Sequence, residues 1–255
     1  MCLCLFAIDQ HDEFPFILIA NRDEFRKRPA AQAAFWEEYP DILAGRDLEG
    51  MGTWLGINKR GEIAFLTNYR HPEFFDRIGP TRGKLVSDFL ASETDAKTFL
   101  EAIENPKTYN GFNLVVGKPS SLFYFANASN QLERIGSGIH GLSNAFLNTS
   151  WPKVDDGKAK LKAAIQGNNL NNDHLFSILH DSSFAEDEEL PETGVGKDLE
   201  KLLSAKFINT LEYGTVCSTV IKIDRNGNCF FEERSFDEEG KEAFRAIHEF
   251  ESIPQ

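Results

Sequence analysis

Met1-Cys2-Leu3-Cys4-Leu5-Phe6-Ala7-Ile8 opens the chain, and this stretch decides what fold and what site to expect. It is a short apolar run with the composition of a strand. Cys2 stands directly after the initiator methionine, which is usually trimmed when the second side chain is small. The trimmed chain would begin with a residue carrying both a thiol and a free α-amine. Such a residue can attack a carbonyl through sulfur while its own amine acts as base. The competing account is a small buried Cys at the start of an edge strand.

The thiol needs help from a cation. A free thiol has a pKa of about 8.5 and an α-amine about 7.7–8.0, so only a few per cent of the thiol is thiolate at neutral pH. Lowering the thiol pKa by about 1.5 units takes roughly 2 kcal/mol, which one well-placed Arg supplies.

The next strand carries that Arg. Residues 2–8 and 15–20 read as two strands joined by the polar turn Asp9-Gln10-His11-Asp12-Glu13. Phe16-Ile17-Leu18-Ile19-Ala20 is apolar on both faces, so this strand is central and covered on both sides. It is expected to end at Asn21-Arg22-Asp23-Glu24, before a loop with Arg26, Lys27, Arg28 and Pro29. On a strand Asn21 and Asp23 face one way, Arg22 and Glu24 the other. Arg22 facing Cys2 would depress the thiol pKa, and Asp23 would orient the α-amine. An internal ion pair at a strand-to-loop bend is the plainer account.

Further along, residues 52–58 and 62–68 form a hairpin turned at Gly61. Residues 82–104 are helical in two pieces, the second capped by Thr94. Strands are expected at 112–117, 121–126, 131–135 and 139–144, and helices at about 153–166 and 171–181. The stretch 181–199, with Glu186-Asp187-Glu188-Glu189, reads as an exposed loop. Residues 217–223 and 229–233 make a hairpin, and the last 17 residues fit helix or strand equally. With no internal repeat or linker, residues 1–255 are read as one layered α+β domain with two sheets. Terminal strands sharing one sheet would bring Cys2 near Ser218.

Composition removes several function classes. The 255 residues are 41% hydrophobic and 26% charged, with net charge −13. No basic run of nucleic-acid-binding type is present, and no segment approaches transmembrane length. The N-terminal apolar run lacks a basic flank and is a poor signal peptide, so a cytoplasmic setting is expected. The four Cys (2, 4, 217 and 229) lack zinc or disulfide spacing. The 22 Phe fit a Phe-packed core or an apolar ligand cavity.

Polar residues at other strand ends complete a candidate site. Asn68, in Thr67-Asn68-Tyr69-Arg70, and Asn144, in Gly141-Leu142-Ser143-Asn144-Ala145, each carry an amide able to donate to an oxyanion. A turn-forming Asn is the alternative for both. His140 is read as a satisfied structural residue.

These motifs together resemble the NRDE family, also called the transport and Golgi organisation 2 family. The carriers are Met1-Cys2, Ala20-Asn21-Arg22-Asp23-Glu24-Phe25, Gly52-Thr53-Trp54-Leu55-Gly56, Thr67-Asn68-Tyr69-Arg70, Arg82-Gly83, Tyr109-Asn110-Gly111-Phe112-Asn113-Leu114, Gly141-Leu142-Ser143-Asn144-Ala145, Tyr213-Gly214-Thr215 and Glu233-Arg234-Ser235. The resemblance implies a four-layer αββα sandwich of the N-terminal nucleophile type, with two mainly antiparallel sheets. It also implies kinship with bile-salt and penicillin acylases. By that likeness Cys2 is nucleophile, Arg22 and Asp23 polarise and orient it, and Asn68 and Asn144 line the oxyanion side. Asn21, Glu24, Trp54, Tyr69, Arg70 and Arg82 then contact substrate. Two features depart from the pattern. Arg22 and Asp23 are adjacent where the acylase pair is separated, and Val216 stands where many relatives carry Arg, so this chain lacks that charge or replaces it with another cation such as Arg70.

Two functions follow. One is an amidohydrolase that cleaves a linear amide or acyl bond through a thioester at Cys2, with no cofactor. The other is a non-catalytic carrier for an amphipathic anion such as haem or acyl-CoA, with Arg22, Arg70 and Arg82 as cations and Cys2, His71 and His140 as nominal haem ligands. A degenerate hydrolase acting as an interaction module is the plainest outcome. The oligomeric state is not assigned.

Overall fold

A computed structural model describes residues 3–74 and 79–253. Cys2, the expected nucleophile, lies outside the described residues. The described strands form two sheets in which every strand pair is antiparallel.

The first sheet contains β1 (Leu3–Ile8), β2 (Phe16–Phe25), β10 (Gly138–Leu142), β11 (Tyr213–Ile223), β12 (Asn228–Phe236) and β13 (Glu242–Glu251), in the order β10-β1-β2-β11-β12-β13. The second contains β3 (Ala30–Phe35), β4 (Ile42–Asp47), β5 (Leu55–Asn58), β6 (Ile63–Asn68), β7 (Phe112–Lys118), β8 (Ser121–Ala126) and β9 (Gln131–Arg134), arranged in chain order. Helices α3 (Pro152–Gln166) and α4 (Asn172–Leu179) cover the outer face of the first sheet. Helices α1 (Gly83–Ala91) and α2 (Ala96–Glu101) cover that of the second. The layers are therefore αββα, as the family resemblance implies.

Side-chain alternation sorts three cores. Cys4, Phe6, Phe16 and Leu18 pack between the sheets against Trp54, Phe65 and Tyr124. Leu3, Leu5, Ile17 and Ile19 face α3 and α4. Phe89, Leu90, Phe112 and Leu114 fill the layer under α1 and α2. A strand buried on both faces reads as continuous apolar sequence, which is what residues 16–20 show.

Several expected boundaries need correction. β2 does not stop at Asn21 but runs to Phe25, because Asn21–Phe25 pair with β11. Residues 30–35 and 42–47, given no element from sequence, are strands of the second sheet. The stretch read as a loop over 181–199 leads into a helix, α5 (Lys197–Leu203). Asp95 rather than Thr94 caps α2, accepting from the Thr98 N–H. The ambiguous C-terminal segment is the edge strand β13.

One carboxyl ties the two sheets together. Glu233 on β12 is buried between them, and its Oε1 accepts the backbone N–H of Ala33 on β3 at 2.9 Å. The Cys217 thiol also donates to it. Burial, opposed by these bonds and by Arg22, pushes Glu233 up to about 7. The folded carboxyl thus keeps its proton at pH values where an unfolded one, at 4.5, has lost it. Stability from this group falls as pH rises from about 4.5 to beyond 7. Glu233→Gln stays neutral and keeps the acceptor. In scanning calorimetry it is expected to raise Tm at pH 8 by about 3 °C or more and to leave Tm little changed at pH 5. An equal shift at both pH values would refute the titration.

Candidate active site

The site grows from the end of β2. Leu3 pairs with Asn21, and Asn21 with Ser218 on β11, so strands from both ends of the chain meet at this level. Alternation along β2 sends Arg22 between the sheets and Asn21 and Asp23 toward the helices, as the two-residue period requires. The Arg22 guanidinium lies over the Trp54 ring, 4.1 Å from its centroid. Its side chain is 4% exposed, and its nearest carboxylate is Glu24 at 3.9 Å. Among the described residues it makes no hydrogen bond. A buried cation in that state retains donors for a ligand.

Asn21 takes a different role from the one expected. Its amide donates to the carbonyls of Leu179 and Lys206, and its oxygen accepts from Ser218 Oγ. It is wholly buried and does not border the cleft. Alternation explains this: the face that turns Arg22 inward turns Asn21 onto α4. Asp23 accepts from the Thr215 hydroxyl at 2.7 Å. The register between β2 and β11 slips here, with Thr215 opposite Asp23 and Cys217 opposite Arg22. The extra residue is Val216. This bulge lets Thr215 share a face with Asp23 while Cys217 shares one with Arg22.

The facing wall comes from the second sheet. Asn68 ends β6, and its side-chain amide has no hydrogen-bond partner among the described residues. The Asn144 side-chain amide donates to the Asn68 carbonyl at 3.0 Å, and the Asn144 backbone carbonyl accepts the Arg70 N–H at 2.8 Å. Side chain and backbone of Asn144 together hold the Asn68–Arg70 turn in place. Beneath them Asn113 donates to Thr67 Oγ1 and to the Ala145 carbonyl, and accepts from the Tyr124 hydroxyl at 2.7 Å. Arg82 donates to the Gly111 carbonyl at 2.9 Å, the same oxygen that accepts the Tyr69 N–H. Gly111 is obligatory here, since a Cβ would sit 2.9 Å from both the Tyr69 carbonyl oxygen and Phe74 Cβ.

Between these walls runs one cleft in two connected parts. A part of about 330 Å³ is lined by Arg22, Asp23, Glu24, Trp54, Asn68 and Arg82. A part of about 430 Å³ shares Phe25, Asn68, Arg82 and Tyr213 with it and adds Tyr69, Arg70 and Asn144. Val195, Leu199 and Leu203 from α5 and its approach close the far side. Phe25, 52% exposed, and Leu199, 42% exposed, make the mouth apolar. α5 is fastened by a buried ion pair, Arg70 Nη2 to Glu200 Oε2 at 3.0 Å. The other Glu200 oxygen accepts the Thr193 N–H at 2.8 Å and the Thr193 hydroxyl.

Burial separates Cys217 and Cys229 from a nucleophile's role. Burial pushes the Cys217 thiol well up, with Glu233 adding to the effect. Burial likewise raises Cys229 to about 12. Neither is a nucleophile near neutrality. His140 contacts the Gly136 carbonyl at 2.9 Å through Nε2 and the Asn148 amide at 3.1 Å through Nδ1. Both of its nitrogens are occupied, and burial lowers its pKa. Among the described residues no group of His, Cys, Asp and Glu is arranged to hold a metal ion.

Of the residues anticipated from sequence, Arg22, Asp23, Glu24, Trp54, Asn68, Tyr69, Arg70, Arg82 and Asn144 border the cleft. Asn21 does not. The sequence reading missed Phe25, Tyr213 and Leu199 as wall residues and Asn113 and Glu233 as supports. Phe25, Tyr213, Asn113 and Glu233 lay inside the quoted motifs, which was the available signal. Leu199 lay in the presumed loop and had none.

Comparison with known proteins places this architecture. A sequence profile of the family described as Transport and Golgi organisation 2 matches residues 1–238. Transport and Golgi organization protein 2 homologs of Bos taurus and Homo sapiens are 35% identical over 257 residues, covering 92% of this chain and 93% of theirs. The Drosophila melanogaster Transport and Golgi organization protein 2 is 26% identical over 270 residues, covering 92% of each. Among solved structures the fold is similar to a Caenorhabditis elegans N-acylethanolamine-hydrolyzing acid amidase ortholog, with TM-score 0.52 and 13% identity over 86% of this chain and 92% of that one. It is also similar to a conjugated bile acid hydrolase from Clostridium perfringens, with TM-score 0.52 and 8% identity over 98% and 92%. The αββα layering is thus that of the N-terminal nucleophile hydrolases, and the chain belongs to the Transport and Golgi organisation 2 family.

Proposed function

We propose that the protein is an N-terminal cysteine amidohydrolase of the cytoplasm, acting on a linear amide or acyl bond. The observation that carries the reading is the buried guanidinium of Arg22, unbonded among the described residues, in the same cleft as the unengaged amide of Asn68. In this reading Met1 is removed, and Arg22 lowers the Cys2 thiol pKa. The thiolate sulfur attacks the carbonyl carbon, and Asn68 donates to the oxygen as it gains charge. The C–N bond breaks, the departing amine takes a proton from the Cys2 α-ammonium, and a thioester remains. The α-amine then takes a proton from water, hydroxide adds to the thioester, and the acid leaves as the thiol is restored. Asp23 orients the α-amine, and Asn144 acts as a positioning residue through Asn68.

Intact mass is expected to show a chain lacking Met1. Retention of Met1 would leave Cys2 without a free amine and end the reading. On a panel of N-acyl amides, Cys2→Ala is expected to lose on the order of 10³ or more in kcat/KM. Asn68→Ala is expected to lose roughly 10²–10³ in kcat with KM little changed. Arg22→Gln should move the pH profile of Cys2 alkylation by iodoacetamide upward by about 1 unit or more. A profile that stays in place would remove Arg22 from the activating role.

The apolar mouth at Phe25 and Leu199 above Arg70 and Arg82 favours a second reading, a carrier for an amphipathic anion such as haem or acyl-CoA. His140 is an unsuitable haem ligand in it, both nitrogens being engaged. Titration with haem is expected to give a saturable Soret change that Leu199→Asp weakens. A linear, unsaturable response would count against the carrier.

A further inference from the structure

A second pocket of about 320 Å³, open to solvent, shares Arg22, Arg28 and Trp54 with the cleft. Its walls include Arg22, Arg26, Val216, Cys217, Glu233 and Ser235. We propose that this pocket binds the anionic group of a ligand, a carboxylate, phosphate or sulfonate, between Arg22 and Arg26.

The first support is the state of the two cations. Arg22 is nine-tenths buried and unbonded among the described residues, and its guanidinium borders this pocket as well as the amide cleft. Arg26 donates to the carbonyls of Thr210 and Asp237 at 2.9 and 2.7 Å and to the Asn209 side-chain oxygen at 2.6 Å. All three acceptors are neutral, and among the described residues Arg26 has no ion pair. Arg22 has only the long contact with Glu24 at 3.9 Å as an ion pair among the described residues, and this weak pairing of two cations is notable in a chain of net charge −13. Arg28, on the same wall, differs: it is matched by Asp47 at 2.8 Å and Glu49 at 2.7 Å.

The second support is what stands beside them. Ser235 carries a hydroxyl with no hydrogen bond among the described residues, a further donor for an oxyanion. The bulge at Val216 puts a small uncharged side chain at the pocket wall and leaves room there. At the rim, Asp237 is turned to the backbone N–H groups of Glu239 and Lys241, and Glu238 is exposed to solvent.

Glu233 sets a pH dependence. The groups facing it are Arg22 from β2, the Cys217 thiol from β11 and the Ala33 N–H from β3, with His248 of β13 against the Ala33 carbonyl. When protonated it leaves Arg22 to the ligand; when ionised it competes for it. Affinity for an anion therefore falls as pH rises through the titration of Glu233.

The test uses the full chain and three small probes: methyl phosphate, propionate and methanesulfonate, titrated against tryptophan fluorescence at ionic strength held constant with sodium chloride. A saturable response is expected from at least one probe, and the class that saturates identifies the anion. Arg26→Gln is expected to weaken it roughly tenfold, and Ser235→Asp to abolish it. Methanesulfonate does not titrate, and should bind more weakly at pH 8.5 than at pH 6 if it binds. Cys2→Ala should bind as wild type does, which keeps this result separate from the fate of the hydrolase reading. The proposal is overturned if no probe saturates, or if Arg82→Gln weakens binding while Arg26→Gln does not.

Discussion

A guanidinium packed between two β-sheets has to be held by something other than water. Here the Arg22 guanidinium lies over the Trp54 ring, with Glu24 nearly 4 Å away. A desolvated cation–π contact contributes about 2 kcal/mol, less than burying an unpaired charge costs. The remainder is met by leaving the guanidinium at the walls of two pockets, where solvent or a ligand reaches its donors. The cleft and the second pocket meet at this side chain.

The sheet register delivers Arg22 to that place. β2 is central, paired with β1 on one side and β11 on the other. Its alternation must hold along its whole length, because both faces are covered. The bulge at Val216 resolves the conflict at the far end. Without it Thr215 and Cys217 would point the same way, and Asp23 would lose its hydroxyl partner. The bulge also puts Val216 on the wall of the anion pocket. One inserted residue thus serves the support of Asp23 and the shape of the pocket together.

Much of this was legible from residue type alone, for identifiable reasons. Residues 16–20 are apolar without alternation, which only a doubly covered strand explains. Asn68 and Asn144 were found because a polar residue ending an apolar strand is easy to see. β3 was not found, because Ala30–Phe35 is mostly alanine and has weak strand propensity; pairing with β4 and the Glu233 bond to Ala33 hold it in the sheet. α5 was not found, because seven residues of mixed charge carry no periodicity strong enough to read. Asn21 was assigned to substrate with the rest of its motif, on the family resemblance. Adjacent residues on a strand face opposite layers, so the strand that turns Arg22 inward turns Asn21 onto α4.

The buried pair of Arg70 and Glu200 explains why a short helix stays over the cleft. α5 buries little apolar surface of its own, and its exposed Leu199 adds none. Ion pairs at a surface contribute about 0–1 kcal/mol. This one is buried, stacked against Trp151 at 4.8 Å from Arg70 and bonded on to Thr193. Removing either partner would strand a buried charge at a cost of about 3–5 kcal/mol, so the pair holds α5 more firmly than its packing does. Arg70 follows Asn68 by two residues in the turn that Asn144 fastens. The cover over the apolar mouth and the unengaged Asn68 amide are therefore anchored on the same short segment.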